Sequence, residues 1–279
     1  MSDDRGDHVN AVVRGSGTSF FWAMRLLPRK KREAMFGIYA FCREVDDIAD
    51  GPDSVEEKKL QLGQWCGEIE RLYGDQPRNL VTQALQRPVE EFGLRKEDFR
   101  AVIDGMEMDA GDGIRIKDVD ELYLYCDRVA CAVGRLSCRV FGLDDDKGVE
   151  LSYALGQALQ LTNILRDIAE DAERDRLYIP GDLLKAHDVT ETDLAGIFKN
   201  PGFARACDVL AGTAENRFAQ AEAIIATCER DKIRPAIMMM EVYRQILVKL
   251  TRRGWQNIYL PVGISKLAKL WIALRFGFL

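Results

Sequence analysis

Tyr39-Ala-Phe-Cys-Arg43-Glu-Val-Asp46-Asp-Ile-Ala-Asp50 and Gln160-Leu-Thr-Asn163-Ile-Leu-Arg166-Asp167-Ile-Ala-Glu-Asp171 decide how this chain is read. In both, apolar residues recur three and four apart, the period of a helix rather than of a strand. In both, a polar row runs along one helical face. Tyr39, Arg43, Asp46 and Asp50 form the first row, and Gln160, Asn163, Asp167 and Asp171 the second, with Arg166 adjacent. Residues three and four apart stack on one face. Acids near a helix C-terminus oppose the macrodipole and repel one another, so they cost stability unless a cation sits there.

The rows carry oxygen ligands and no His or Cys, which favours a hard cation. Mg²⁺ typically takes one or two carboxylates and shares its other positions with water and substrate phosphates. The pattern therefore predicts Mg²⁺, with Mn²⁺ as the alternative, and a diphosphate substrate. One such row alone is equally well a solvated helix face. Two matching rows, each flanked by an arginine and embedded in apolar sequence, favour a site.

Outward from these rows the helical period continues almost everywhere, which predicts an all-α chain. Pro28 suits a first helical turn, and Gly51-Pro52 ends that helix after Asp50. Ser54 and Glu57 form a capping box opening a helix to Gly74. Further helices are expected over about 79–92, 96–109, 118–141, 147–173, 203–229, 233–253 and 264–276. Arg176-Leu-Tyr-Ile-Pro-Gly181 breaks the pattern and predicts a loop beside the C-terminus of the preceding helix. No composition shift marks a boundary, so residues 1–279 are expected as one domain, with 1–16 as a flexible leader.

Composition closes several function classes. Across 279 residues, 39 Lys and Arg against 45 Asp and Glu leave a net charge of −6, which gives no positive field for nucleic acid. Seven cysteines form no C-x-x-C pair and lie mostly in apolar helical patterns, as in a reducing cytosol. Of two histidines, His8 lies in the polar leader, leaving His187 alone for imidazole chemistry; zinc and Ser-His-Asp sites are thereby set aside. No apolar run approaches the roughly 18 residues a spanning helix needs, so a cytoplasmic protein is expected. The final stretch, Ile264 to Leu279, combines cations with a broad apolar face. It fits either a helix packed on its own core or one lying at a membrane interface.

Five motifs in order resemble the squalene and phytoene synthase family of head-to-head prenyl synthases. They are Ser19-Phe-Phe-Trp-Ala-Met24, the two acidic rows, Tyr125-Cys126 followed by Val129-Ala130 and Val133-Gly134, and Arg176-Leu-Tyr178-Ile-Pro180. Cys126 to Ser137 and Leu26-Leu-Pro-Arg-Lys are most similar to the bacterial presqualene diphosphate branch, which belongs to hopanoid biosynthesis. The family usually has Gly where Cys131 stands, a small-for-small change in packing or pocket wall.

The resemblance implies an isoprenoid-synthase-type helical bundle around a central apolar cavity. It implies that Asp46, Asp50, Asn163, Asp167 and Asp171 hold metal on the two substrate diphosphates, with Asp47 in support. Arg43, Arg166 and Arg176 match phosphate-contacting positions, Ser19 and Tyr178 would add hydroxyl donors, Tyr125 and Tyr243 would line the reacting centre, and Gln160 would border it. Phe20, Phe21, Phe36, Tyr39, Phe41, Met106 and Met108 are candidate walls for the prenyl tails, with core packing as the competing reading of each. Asp109 matches a family acid for which the sequence yields no role.

The implied reaction joins two farnesyl diphosphates into presqualene diphosphate, without NADPH. Squalene, hydroxysqualene, dehydrosqualene and phytoene synthases are the alternatives that keep this site. A non-catalytic helical assembly factor is the alternative of another class, disfavoured because the costly acids are all present.

Overall fold

The computed structural model describes residues 4–15 and 24–265, together with 268, 271, 272 and 275. The helices are α1 (Asp4–Gly15), α2 (Arg29–Asp50), α3 (Val55–Tyr73), α4 (Leu80–Phe92), α5 (Lys96–Asp109) and α6 (Val119–Cys126). A π-helical turn (Asp127–Cys131) leads into α7 (Ala132–Phe141). Then come α8 (Asp145–Glu173), α9 (Gly181–Ala186), α10 (Leu194–Lys199), α11 (Pro201–Ile225) and α12 (Arg230–Arg253), with a short 3₁₀ turn at Trp255–Asn257. Among the described residues there is no strand, only a single bridge between Arg115 and Leu177. The all-α expectation holds.

Local chemistry sets several helix starts. Ser54 Oγ accepts from the Glu57 amide while Glu57 returns a bond to the Ser54 amide, closing the expected capping box. The side chains of Asn79, Asp118 and Asn200 each accept a main-chain amide at the start of α4, α6 and α11, and Pro201 occupies the first turn of α11. Gly93, at φ 59°, ends α4 in the left-handed conformation that glycine adopts without strain.

The long helix α8, about 43 Å at 1.5 Å per residue, runs through the middle and packs against α7, α11, α12 and the π turn. Two close approaches seat it and its neighbours. A Cβ on Gly156 of α8 would lie 2.9 Å from Cys131 Cα, and a Cβ on Gly105 of α5 would lie 2.6 Å from Val129 Cγ1. Only glycine lets these backbones meet around the π turn. Cys131 thus fills the notch that Gly156 leaves. All seven cysteines are free thiols.

One expectation is corrected, and for two candidate walls the core reading holds. Asp4–Gly15 is a helix, not a flexible leader, because Val9 and Val13 share a face and are buried against α2 and α4. Phe41 is not a pocket wall. It sits in the core edge-on to Trp65 at 5.4 Å and to Phe99 at 5.1 Å. Phe36 is likewise buried in the core and does not line the chamber described below. Among the described residues near the C-terminus, Ile264 and Ile272 are buried against the core, while Tyr259, Leu260 and Trp271 are exposed. No helix among the described residues is long and apolar enough to cross a membrane.

Candidate active site

The C-terminal end of α2 and the C-terminal half of α8 face one another across a cavity of about 430 Å³. Its walls include Asp46 and Asp50 from α2 and Gln160, Asn163, Arg166, Asp167 and Asp171 from α8. Both acidic rows therefore open onto one space. Asp109, Tyr125, Arg176 and Tyr178 complete it below. The Arg176–Tyr178 segment is extended rather than loose. Leu177 N donates to Ile114 O at 2.9 Å and Gly181 N to Ile116 O at 2.9 Å, which pins it beside residues 114–116.

Arginines neutralise part of this acidity. Arg166 grips Asp167 with two bonds, 2.7 and 2.6 Å, and Tyr243 lies within hydrogen-bonding reach of the same guanidinium. Arg43 bridges Asp46 at 3.2 Å and Asp47 at 2.7 Å. Asp50 accepts from Arg176 at 2.7 Å and Arg174 at 2.6 Å. Asp50 is desolvated, which acts upward, yet the bonds to Arg174 and Arg176 hold its carboxyl below the ordinary value.

Two other acids behave in the opposite sense. Burial, then the neighbouring Asp50, pushes Asp46 up to about 6. Burial, then Asp167, pushes Asp171 up to about 7. Such carboxyls want a cation. A further mark of a missing partner is Asn163 Oδ1, buried and without a hydrogen bond among the described residues. The all-oxygen donor set thus fits a hard divalent ion. No three acidic, His or Cys side chains among the described residues gather tightly enough to hold such an ion alone. An ion here would complete its shell with substrate oxygens.

A second, largely apolar chamber of about 410 Å³ adjoins the first and shares Asp46, Val129, Gln160 and Asn163 with it. Tyr39 and Cys42 of α2, Val133 to Phe141 of α7, Leu151 to Leu159 of α8 and Ala236, Met239 and Tyr243 of α12 line it. From Asn163 back to Leu151 it follows α8 for about 18 Å at 1.5 Å per residue.

Of the site residues expected from sequence, Ser19 and Phe20, with Phe21, lie outside the described residues. Asp47 is exposed on Arg43 and does not reach the cavity. Tyr178 is no free hydroxyl donor, since its proton goes to Asp109 at 2.6 Å. Tyr39 and Tyr243 line the apolar chamber, Met106 lines the polar cavity, and Met108 lines a side pocket behind Tyr125. Sequence reasoning missed Arg174 and, in the apolar chamber, Cys138 and Phe141 of α7, Leu151, Leu155 and Leu159 of α8 and Ala236 and Met239 of α12, which carry no motif. It named Asp109 but gave it no task.

Residues 13–269 match the squalene/phytoene synthase family. The chain belongs to that family. Among relatives of this squalene/phytoene synthase family member, a presqualene diphosphate synthase from Rhodopseudomonas palustris is 45% identical over 94% of this chain and 93% of its own. Another from Sinorhizobium fredii is 43% identical over 99% of both chains. Among solved structures, a dehydrosqualene synthase in complex with ligand shares the fold with a TM-score of 0.83 at 22% identity, covering 98% of this chain and 95% of that one. A squalene synthase from Alicyclobacillus acidocaldarius does so with a TM-score of 0.78 at 24% identity, covering 92% and 95%.

Proposed function

We propose that this squalene/phytoene synthase family member condenses two farnesyl diphosphates head-to-head into presqualene diphosphate, releasing one diphosphate and one proton. The observation that carries this reading is the adjacency of the two spaces: both acidic rows line a single polar cavity, and that cavity shares Asp46, Val129, Gln160 and Asn163 with an apolar chamber beside it. The naming of the relatives from R. palustris and S. fredii supports the choice of product.

Asp46, Asn163, Asp167 and Asp171 would hold Mg²⁺, or Mn²⁺ in its place, and Asp50 would join them once Arg174 and Arg176 turn to phosphate. The ion supplies charge that stabilises the departing diphosphate. Arg43, Arg166 and Arg176 bind and orient phosphate oxygens, a task for planar, permanently charged forks. The arginine–carboxylate pairs of the unliganded protein keep each guanidinium at the site until phosphate arrives. The chamber walls hold both tails and exclude water, which would otherwise capture the allylic cation.

In the condensation, the C1–O bond of one substrate breaks and its electrons leave with diphosphate. The double bond of the second substrate forms the new C–C bond, and loss of a proton closes the cyclopropane. No reductant enters this balance, so NADPH has no part in it. Cytoplasmic placement, and contact of the exposed Tyr259, Leu260 and Trp271 with a membrane that supplies or receives the lipids, belong to the same proposal.

Incubating the purified protein with farnesyl diphosphate and Mg²⁺ alone, then identifying the products, tests it. Accumulated presqualene diphosphate is expected. Squalene formed only with NADPH, phytoene formed from geranylgeranyl diphosphate in preference, or no turnover at all would each overturn it.

A further inference from the structure

Asp109 ends α5 beneath the polar cavity and is 7% exposed. Both of its carboxylate oxygens are engaged by tyrosine. Oδ2 accepts from the Tyr125 hydroxyl at 2.8 Å and Oδ1 from the Tyr178 hydroxyl at 2.6 Å. Its main-chain carbonyl accepts from Arg176 Nη2 at 3.0 Å. The two rings stack with centroids 5.0 Å apart and planes 24° from parallel, so neither phenol can swing independently. The three residues come from separate parts of the chain, α5, α6 and the segment after α8, and are held together by this carboxylate and by the ring stack.

A phenol carries one proton and accepts with its lone pairs. With both protons directed to Asp109, Tyr125 and Tyr178 present only oxygen lone pairs to the cavity they line. That cavity is where positive charge would develop on the reacting carbons, and preorganised dipoles aimed at developing charge lower a barrier without reorganising. We propose that Asp109 is a positioning residue, which fixes the Tyr125–Tyr178 pair as a double acceptor facing the cationic reaction centre. This rests on the condensation proposed above.

The same geometry explains why Arg176 is tied to Asp109 through the backbone. One guanidinium reaches Asp50, in the row facing phosphate, and the carbonyl of the residue that holds the tyrosines. The phosphate end and the carbon end of the site are thereby set at a fixed separation.

Asp109→Asn keeps the shape but offers one acceptor and one donor. One phenol must then accept from the amide and turn its own proton into the cavity. We expect kcat to fall about 10²-fold with KM for farnesyl diphosphate unchanged within about 3-fold, the range of loss seen when one preorganised dipole is removed. Equilibrium binding supplies a readout independent of turnover. A farnesyl-like ammonium compound carrying positive charge at the reacting position should bind about 10-fold more weakly to the variant. An uncharged thio-bridged diphosphate analogue should bind equally well to both proteins.

Should Asp109→Asn not fold, the Tyr125→Phe and Tyr178→Phe double variant leaves the carboxylate in place and removes both acceptors. It should show the same selective loss. Equal weakening of both ligands, or of neither, overturns the proposal. Absence of turnover by the unmodified protein contradicts the condensation instead, and the two failures are distinct.

Discussion

Arg176 joins Asp50 across 126 residues of sequence, donating from Nη1 to Oδ1 at 2.7 Å while its Nη2 reaches the carbonyls of Ala49 and Asp109 at 3.3 and 3.0 Å. Three elements converge on this one buried guanidinium: the end of α2, the end of α5 and the pinned segment after α8. Each bond uses a different direction of the planar fork, which lysine cannot reproduce.

Replacing Arg176 by Ala should therefore lower kcat/KM for prenyl diphosphate by about 10- to 100-fold, the equivalent of one or two charged hydrogen bonds. Arg176→Lys should recover little of it. Steady-state kinetics on the three proteins checks this, and full recovery by lysine would show that only charge matters.

The acids at about 6 and about 7, Asp46 and Asp171, make a pH prediction of definite sign. Both lie above the ordinary carboxyl value, so the folded metal-free protein holds protons that the unfolded chain has released. Their contribution to stability is complete below about pH 4 and is lost as pH rises through about 6 to 7. Metal held by these oxygens, as proposed, would compete with their protons, so apparent Mg²⁺ affinity should rise over that interval. Calorimetric Tm values across about pH 5 to 8, where ordinary carboxyls no longer titrate, should fall without Mg²⁺ and flatten with it. A rising metal-free Tm would contradict the assignment.

How far this site was legible in the sequence follows from what carries a period. The acidic rows repeat at helical spacing, so Asp46, Asp50, Asn163, Asp167 and Asp171 could be placed on two faces before any coordinates. The helix over 96–109 matches its expected bounds, because Gly93 and the first-turn acids Glu97 and Asp98 mark its start. The six-residue helices α9 and α10 are too short to show a period, and went unseen. The Val9 and Val13 stripe spans barely one turn between polar residues, which is why the leader looked unstructured. Phe41 shows the converse: an aromatic beside a site motif looks like a wall, yet the next position round the helix points into the core. Nothing in Met106-Glu-Met-Asp109 could reveal that Asp109 gathers two tyrosines from 16 and 69 residues away.

Glu68 offers a test of the scaffold alone. It is 5% exposed, and its Oε1 accepts from the amides of Arg78 and Asn79 at 2.6 and 2.8 Å and from Thr82 Oγ1 at 2.6 Å, while Arg71 bonds Oε2 at 2.7 Å. Burial acts upward on this carboxyl, but the four donors together hold it down at about 2. Its contribution is present above the ordinary glutamate value and is lost as pH falls toward 2. Glu68→Ala should destabilise the fold by about 3 kcal/mol, because it also leaves buried donors unpaired. Denaturant unfolding near neutral pH measures it, and a loss below about 1 kcal/mol would show that the turn between α3 and α4 is held by other contacts.

The central claim is that the two acidic rows serve one chamber and one reaction. Diphosphate release from farnesyl diphosphate with Mg²⁺, measured for Asp46→Asn, Asp167→Asn and the double variant, tests it most directly. Residues acting as a unit are non-additive. The account predicts that each single change lowers the rate by about 10³-fold or more and that the double variant is little worse than either, as for groups sharing one transition state. Singles that retain most of the rate, or losses that simply multiply in the double variant, would mean that the rows work independently and would contradict the account.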